Sequence, residues 1–236
     1  MGESKLTAII LAGGMGTRLQ SVVSDVPKPM AAINNRPFLE YLLAYLKRYG
    51  ISEIVLSTGY MGSVIKDYFG DSFLRIPIIY SYERLPLGTG GAIKLALEKC
   101  GGGNAFVLNG DTFFDVDLLR LSDSHTGQNA DITISLKMMC DIDRYGIVEL
   151  NAGKIITMRE KGYAEQGHIN GGVYCLKSDI FDGFDMPESF SFERFLADGV
   201  SKLNIRGFVS EGDFIDIGIP EDYVLSQTLM PKCVRL

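Results

Sequence analysis

Residues 11–19 read Leu-Ala-Gly-Gly-Met-Gly-Thr-Arg-Leu, so three glycines and an arginine directly follow a short apolar run. Glycine lets the backbone approach a ligand closely and take positive φ. Exposed N–H groups in such a loop cradle phosphate oxygens. Arg18 adds a planar fork that matches phosphate geometry. Lys28 follows between Pro27 and Pro29, whose rings fix the backbone around it. A glycine loop, an arginine and a rigidly presented lysine fit a grip on a triphosphate. The loop is not a Walker A motif, because GxxxxGK[ST] is absent. It is not a dinucleotide fingerprint, because Leu19 stands where the third glycine belongs.

These groups need a scaffold that brings them to one place, and the hydropathy pattern supplies it. Residues 6–11 form an apolar run suited to a strand buried on both faces. Residues 37–49 carry Phe38, Leu39, Leu42, Leu43 and Leu46 near helical spacing, and Gly50 stops that helix. Strands are predicted over 53–57, 76–81 and 104–108, with helices over 63–69 and 90–100. That alternation predicts a mostly parallel sheet flanked by helices, and ligands in such sheets bind at the carboxyl ends of the strands. After Asp111 strand-like runs dominate, over 131–137, 146–150, 154–159, 171–176 and 206–209. Short helices are predicted over 192–203 and 221–230. The expectation is one α/β domain over 1–236, with a Rossmann-like mixed sheet. Its first half, to about residue 115, reads as a nucleotide-type α/β layer, and its second, from about 116, as a mixed extension of the same sheet.

Composition narrows the partners. The 236 residues are 46% hydrophobic and 22% charged, ordinary for a folded soluble protein. With 23 Lys and Arg against 29 Asp and Glu, the formal charge is −6. No global basic face is available for nucleic acid, so an anionic ligand must be met by individually placed cations. The four cysteines, Cys100, Cys140, Cys175 and Cys233, form no CxxC pair, which argues for free thiols in a reducing cytoplasm. No apolar run approaches the ~20 residues of a membrane span.

The glycine loop with its Pro-Lys-Pro resembles the signature of the sugar-1-phosphate nucleotidyltransferases. Further motifs extend the resemblance from about residue 6 to 225. They are Pro86-Leu87-Gly88-Thr89-Gly90-Gly91-Ala92, Asn109-Gly110-Asp111, Glu160-Lys161, Asn170-Gly171-Gly172 and Phe214-Ile215-Asp216-Ile217-Gly218. Departures are Ser21 and Gly162 where many members have Pro, and Phe214 where many have Trp. The resemblance implies transfer of a nucleotidyl group from a nucleoside triphosphate to a sugar 1-phosphate. Arg18, Lys28 and Asp111 would be catalytic. Leu11, Ala12, Gly13, Gly14, Gly16, Thr17, Glu83, Gly88, Thr89, Asn109 and Gly110 would bind the nucleotide. Gly146, Glu160, Lys161, Asn170 and Gly171 would bind the sugar phosphate. Asp111 and Asp216 would hold Mg²⁺, a hard cation that takes carboxylate and phosphate oxygens.

Within that resemblance Glu83 would face the base. A carboxylate only accepts hydrogen bonds, and guanine offers two adjacent donors, N1–H and the 2-amino group, so GTP is favoured over UTP or CTP. The ensemble of motifs, with Arg144-Tyr145-Gly146 and Ser191-Phe192-Glu193, looks most like the D-glycero-D-manno-heptose 1-phosphate guanylyltransferases, which make GDP-heptose for bacterial surface glycans. Mannose 1-phosphate with GTP and N-acetylmuramate 1-phosphate with UTP are the alternative substrates. A non-catalytic nucleotide-sugar sensor is the rival class, and retention of Arg18, Lys28, Asp111 and Asp216 speaks against it. Asp115 and Asp117 fit a helix start and are left out of the metal set. His125 is expected at the surface, and His168 beside the sugar segment. A homodimer is compatible with the sequence, and no membrane partner is expected.

Overall fold

In the computed structural model the described residues are 6–14, 19, 23–159 and 162–234. The chain runs β1 (Thr7–Leu11), β2 (Ala32–Ile33), β3 (Arg36–Pro37), α1 (Phe38–Arg48), β4 (Glu53–Thr58), α2 (Gly62–Phe69), β5 (Ser72–Phe73) and β6 (Ile76–Tyr82). It continues with α3 (Gly88–Leu97), β7 (Asn104–Asn109), β8 (Thr112–Phe114), α4 (Leu118–Gly127), β9 (Ile132–Ile142), β10 (Ile147–Asn151) and β11 (Lys154–Met158). The last elements are β12 (Ala164–Lys177), α5 (Phe192–Gly199), β13 (Ile205–Val209), β14 (Phe214–Asp216) and α6 (Pro220–Cys233).

One ten-stranded sheet passes through both halves, in the order β10-β11-β13-β9-β12-β7-β1-β4-β6-β5. β7, β1, β4 and β6 are parallel neighbours. β12 joins them antiparallel to β7 and carries β9 on its other edge. The first half is therefore the predicted parallel layer, and the second is a mixed extension of the same sheet. Alternation along β1 explains its burial on both faces. Ala8 and Ile10 pack into one core with α1 and α4. Ile9 points into the other, with Ile93 of α3 and Phe195 and Leu196 of α5.

The structure extends one expectation and corrects another. Residues 118–127 form α4, a helix for which the sequence pattern predicts only a start at Asp115 and Asp117, and Asp117 caps it by accepting from the Arg120 N–H at 3.1 Å. His125 is buried and not at the surface, at 1% exposure. It lies in the last turn of α4, and its Nδ1 sits 2.9 Å from Thr133 Oγ1 of β9. All four cysteines are free thiols. Among the described residues no helix is long and apolar enough to cross a membrane.

Candidate active site

The carboxyl ends of β1 and β7 meet at Gly110. Its N–H donates to the Leu11 carbonyl at 3.0 Å, and a Cβ there would sit 2.3 Å from that same oxygen. Only glycine admits this approach, and it delivers Asp111 to the cleft. Lys28 is presented by a turn over Lys28–Met30, after Pro27 at φ −65° and ψ 148°. Its side chain is 8% exposed, and its ammonium donates to Asp111 Oδ2 at 2.6 Å.

Asp216 arrives by a different route. β14 pairs antiparallel with β8, with Asp216 opposite Thr112, the neighbour of Asp111. The Ile217 N–H donates to the Asp111 carbonyl at 3.0 Å and fixes that register. Asp216 Oδ1 accepts from the Gly218 N–H at 2.7 Å, and Oδ2 from the Tyr145 hydroxyl at 3.1 Å. Burial raises the Asp216 carboxyl above the usual carboxylate range, and the Asp111 charge raises it further, with Lys28 opposing. A site whose two carboxylates repel each other is one a cation relieves. Their oxygens are the hard donors that Mg²⁺ takes, and two protein ligands leave room for phosphate and water oxygens. The residues present fit that ion. Among the described residues no cluster of three or more metal-ligating side chains exists. Asp115 is ion-paired with Arg48 and does not line the cavity that holds Asp111 and Asp216.

Three cavities adjoin here. The first, about 410 Å³, is walled by Lys28, Asp111 and Asp216, with Leu11, Gly14, Asn109, Gly110, Thr89 and Asn170 also on its surface. The second, about 570 Å³, shares Leu11, Gly14 and Thr89 with it and adds Gly13, Glu83 and Gly88. The third, about 820 Å³, contains Gly146 and shares Asn170 and Glu193 with the first.

In the second cavity Glu83 is pinned. Oε2 accepts from the Leu87 N–H at 3.2 Å, and Oε1 from Ser57 Oγ at 3.3 Å. Burial raises its carboxyl, and those two bonds oppose the shift. A Cβ on Gly13 would lie 2.5 Å from Glu83 Oε1, so glycine at 13 lets the backbone after β1 approach this carboxylate.

Asn170 is aimed by an irregularity in β12, where the register against β9 shifts between Asn170 and Tyr174. Its Oδ1 accepts from the Gly172 N–H at 3.0 Å, and its Nδ2 donates to the Tyr174 hydroxyl at 2.9 Å. Gly172, at φ +73°, packs on Asn109.

Two expected residues do not reach these cavity walls. Ala12 is buried, with its N–H donating to the Ser57 carbonyl at 2.8 Å. Gly171 lies under the Phe114 ring, 2.3 Å from where its Cβ would be. Gly16, Thr17, Arg18, Glu160 and Lys161 lie outside the described residues. His168 is half-buried on β12, opposite Met138 of β9. Tyr145, Gly172, Tyr174 and Glu193 line the first cavity without having been singled out as site residues. Tyr145 and Glu193 stood in quoted motifs, but neither carried a signal of its own.

A parallel sheet with a glycine-bordered cleft at its carboxyl end, a buried lysine and two converging aspartates defines a phosphate-handling α/β protein. The nucleotidyl transferase family matches residues 7–230, and the chain belongs to that family. It is 52% identical over 92% of its length to the D-glycero-alpha-D-manno-heptose 1-phosphate guanylyltransferase of Campylobacter jejuni, covering 97% of that protein. It is 48% identical over 94% of its length to the enzyme of that name from Aneurinibacillus thermoaerophilus, covering 97% of it. The crystal structure of HddC from Yersinia pseudotuberculosis complexed with GMP-PN superposes with a TM-score of 0.82 at 37% identity, over 94% of this chain and 98% of that one.

Proposed function

We propose that the protein transfers a guanylyl group from GTP to D-glycero-alpha-D-manno-heptose 1-phosphate, giving GDP-heptose and pyrophosphate. The observation that carries the reading is near-complete mutual coverage at 52% and 48% identity with two heptose 1-phosphate guanylyltransferases. A phosphate oxygen of the sugar 1-phosphate attacks the α-phosphorus of GTP. The bond from that phosphorus to the bridging oxygen of the β-phosphate breaks, and pyrophosphate leaves with the electron pair. No protein nucleophile is required, so positioning and charge neutralisation dominate.

In this reading the base occupies the cavity with Glu83, whose carboxylate accepts from guanine N1–H and the 2-amino group. Each oxygen already accepts one bond, from Ser57 or from Leu87, and retains further lone-pair capacity. The triphosphate lies along Gly13, Gly14, Gly16 and Thr17, with Arg18 on the β- and γ-phosphates. Lys28 holds charge at the α-phosphate, and Lys161 the sugar phosphate, while Gly146, Glu160 and Asn170 border the sugar. Mg²⁺ on Asp111 and Asp216 would neutralise charge between the two anionic reactants. Mg²⁺ dependence and a cytoplasmic place of work belong to the same reading.

A matrix of GTP, UTP and CTP against heptose, mannose and N-acetylmuramate 1-phosphates, with and without Mg²⁺, tests it by pyrophosphate release. The expected maximum is GTP with heptose 1-phosphate. Faster turnover of UTP or CTP overturns the base assignment, and faster turnover of another sugar overturns the sugar assignment.

A further inference from the structure

The segment around residues 188–193 is tied to the start of α3 by a set of close contacts. The Phe190 N–H donates to the Leu87 carbonyl, and the Gly90 N–H to the Phe190 carbonyl, both at 2.9 Å. A Cβ on Gly88 would lie 2.5 Å from the Phe190 carbonyl oxygen, one on Gly90 2.2 Å from the Phe190 ring, and one on Gly91 2.5 Å from the Glu188 oxygen. These glycines are therefore needed by the protein strap that covers them. Thr89 belongs to the same junction. Its hydroxyl accepts from the Phe192 N–H at 2.8 Å and donates to Glu193 Oε2 at 2.9 Å.

The junction fixes one oxygen of Glu193. Oε2 also accepts from Ser191 Oγ at 2.8 Å. Oε1 has no partner among the described residues. Glu193 and Asn170 are the two described residues that line both the cavity holding Lys28, Asp111 and Asp216 and the cavity bounded by Gly146. Asn170 spends one Nδ2 hydrogen on Tyr174 and keeps the second, because a carboxamide nitrogen carries two. A free carboxylate lone pair and a free amide N–H on one shared wall suit a pair of hydroxyls, since each hydroxyl both donates and accepts.

We propose that Glu193 binds a sugar hydroxyl through Oε1, with Asn170 donating to the same or the adjacent hydroxyl. Thr89 is a positioning residue that holds Glu193 from the nucleotide side. The proposal rests on the reading above that a sugar 1-phosphate is the acceptor. It adds the contact that selects the ring and a physical link between the nucleotide loop and the sugar.

The test is a cycle between protein and substrate. Glu193→Ala and Glu193→Gln are assayed with the sugar 1-phosphate that the wild type uses best and with its monodeoxy analogues, each lacking one ring hydroxyl. Affinity for a non-hydrolysable GTP analogue is measured by calorimetry. Loss of a hydrogen bond to a charged group predicts a rise in sugar KM of about 10–100-fold for Glu193→Ala. GTP-analogue affinity should stay within about 3-fold. On one deoxy analogue the wild type should already show the loss, and Glu193→Ala should add less than about 3-fold. Equal further loss on the parent and on every deoxy analogue overturns the proposal, as does a loss of GTP-analogue affinity as large as that for sugar. Best turnover with a hexose 1-phosphate overturns only the heptose assignment, because the cycle is then decided on that hexose. No turnover with any sugar 1-phosphate overturns both.

Discussion

Gly90→Ala separates two explanations for the glycines of residues 88–91. Inside a helix the exchange of glycine for alanine stabilises by about 0.5–1 kcal/mol when space is open. Here it is not open. A Cβ would stand 2.2, 2.3 and 2.9 Å from Cε2, Cδ2 and Cζ of Phe190, whereas non-bonded carbons settle at about 3.5–4.0 Å. The ring would have to retreat by more than about 1 Å. Its centroid is 5.4 Å from that of Phe181 and 6.3 Å from that of Phe195, and its backbone is held to Leu87 and Gly90 by two 2.9 Å bonds. Overpacking of this kind costs about 1–3 kcal/mol, so the clash outweighs the helical gain. The expected net loss is about 0.5–2 kcal/mol, with Tm lower by roughly 1–8 °C in a chain of this size. Urea unfolding of the wild type, Gly90→Ala, Phe190→Ala and the double variant measures the coupling. With the ring absent, Gly90→Ala should become neutral or stabilising, giving a coupling of about 1 kcal/mol or more. Additivity within about 0.3 kcal/mol would refute the ring contact as the reason for this glycine.

Three further outcomes follow from the site and the core. Lys28→Ala should lower kcat by about 100-fold or more while the circular dichroism spectrum is retained, because the partly exposed Asp111 it leaves can be solvated; near-normal turnover would remove Lys28 from the mechanism. Tyr145→Phe keeps the edge contact with Phe214 at 5.8 Å but deletes the hydroxyl 3.1 Å from Asp216. Mn²⁺ binding read by electron paramagnetic resonance should weaken by about 2–10-fold, and unchanged affinity would show that this hydroxyl does not set the carboxylate. His125 is pushed down to about 4, first by burial and then by Lys177, with Asp131 opposing. It stays neutral in the fold while the unfolded chain takes a proton below about pH 6.5. Its contribution is therefore complete above about pH 6.5 and is lost progressively toward pH 4, by about 3 kcal/mol in total. Urea midpoints between pH 7 and 4.5 should show this slope in the wild type and lose it in His125→Leu, and an equal slope in both would reject it.

The parts of the fold that were legible carry their information locally. β1, α1, β4 and β7 each show one clear periodicity with punctuation at their ends, and each lies within a residue or two of its expected bounds. Beyond its start at Asp117, α4 is hard to read because only its first four residues, Leu-Leu-Arg-Leu, are strong helix formers and Ser-Asp-Ser-His-Thr-Gly are not. It is held by burial of Leu118, Leu121 and His125. The sequence pattern predicts β12 only over 171–176 because Glu165, Gln166, Gly167, His168 and Asn170 supply little strand signal before it. It runs from Ala164 to Lys177 because β7, β9 and β10 all pair with it, and tertiary pairing overrides weak strand propensity.

The same division runs through the site. The glycine loop, Lys28 and Asp111 are marked by dense local motifs, and a motif also marks Asp216. What no local pattern contains is the step that places Asp216 beside Asp111, because β8 and β14 are three-residue strands whose pairing is specified by contacts across the fold. Glu193 is the sharper case. A lone acid in the first turn of a helix is ordinary helix chemistry, and nothing nearby in sequence marks it for a ligand. Its meaning comes from Thr89, on a helix far away in the chain, which fixes one carboxylate oxygen of a residue that lines the cavity. The glycines of residues 88–91 point the same way. As sequence they suggest a ligand approaching the backbone; in the fold the protein's own strap closes on all three, and Gly88 also lines the cavity with Glu83. A glycine-rich segment thus reports that something comes close, and only the packing says what.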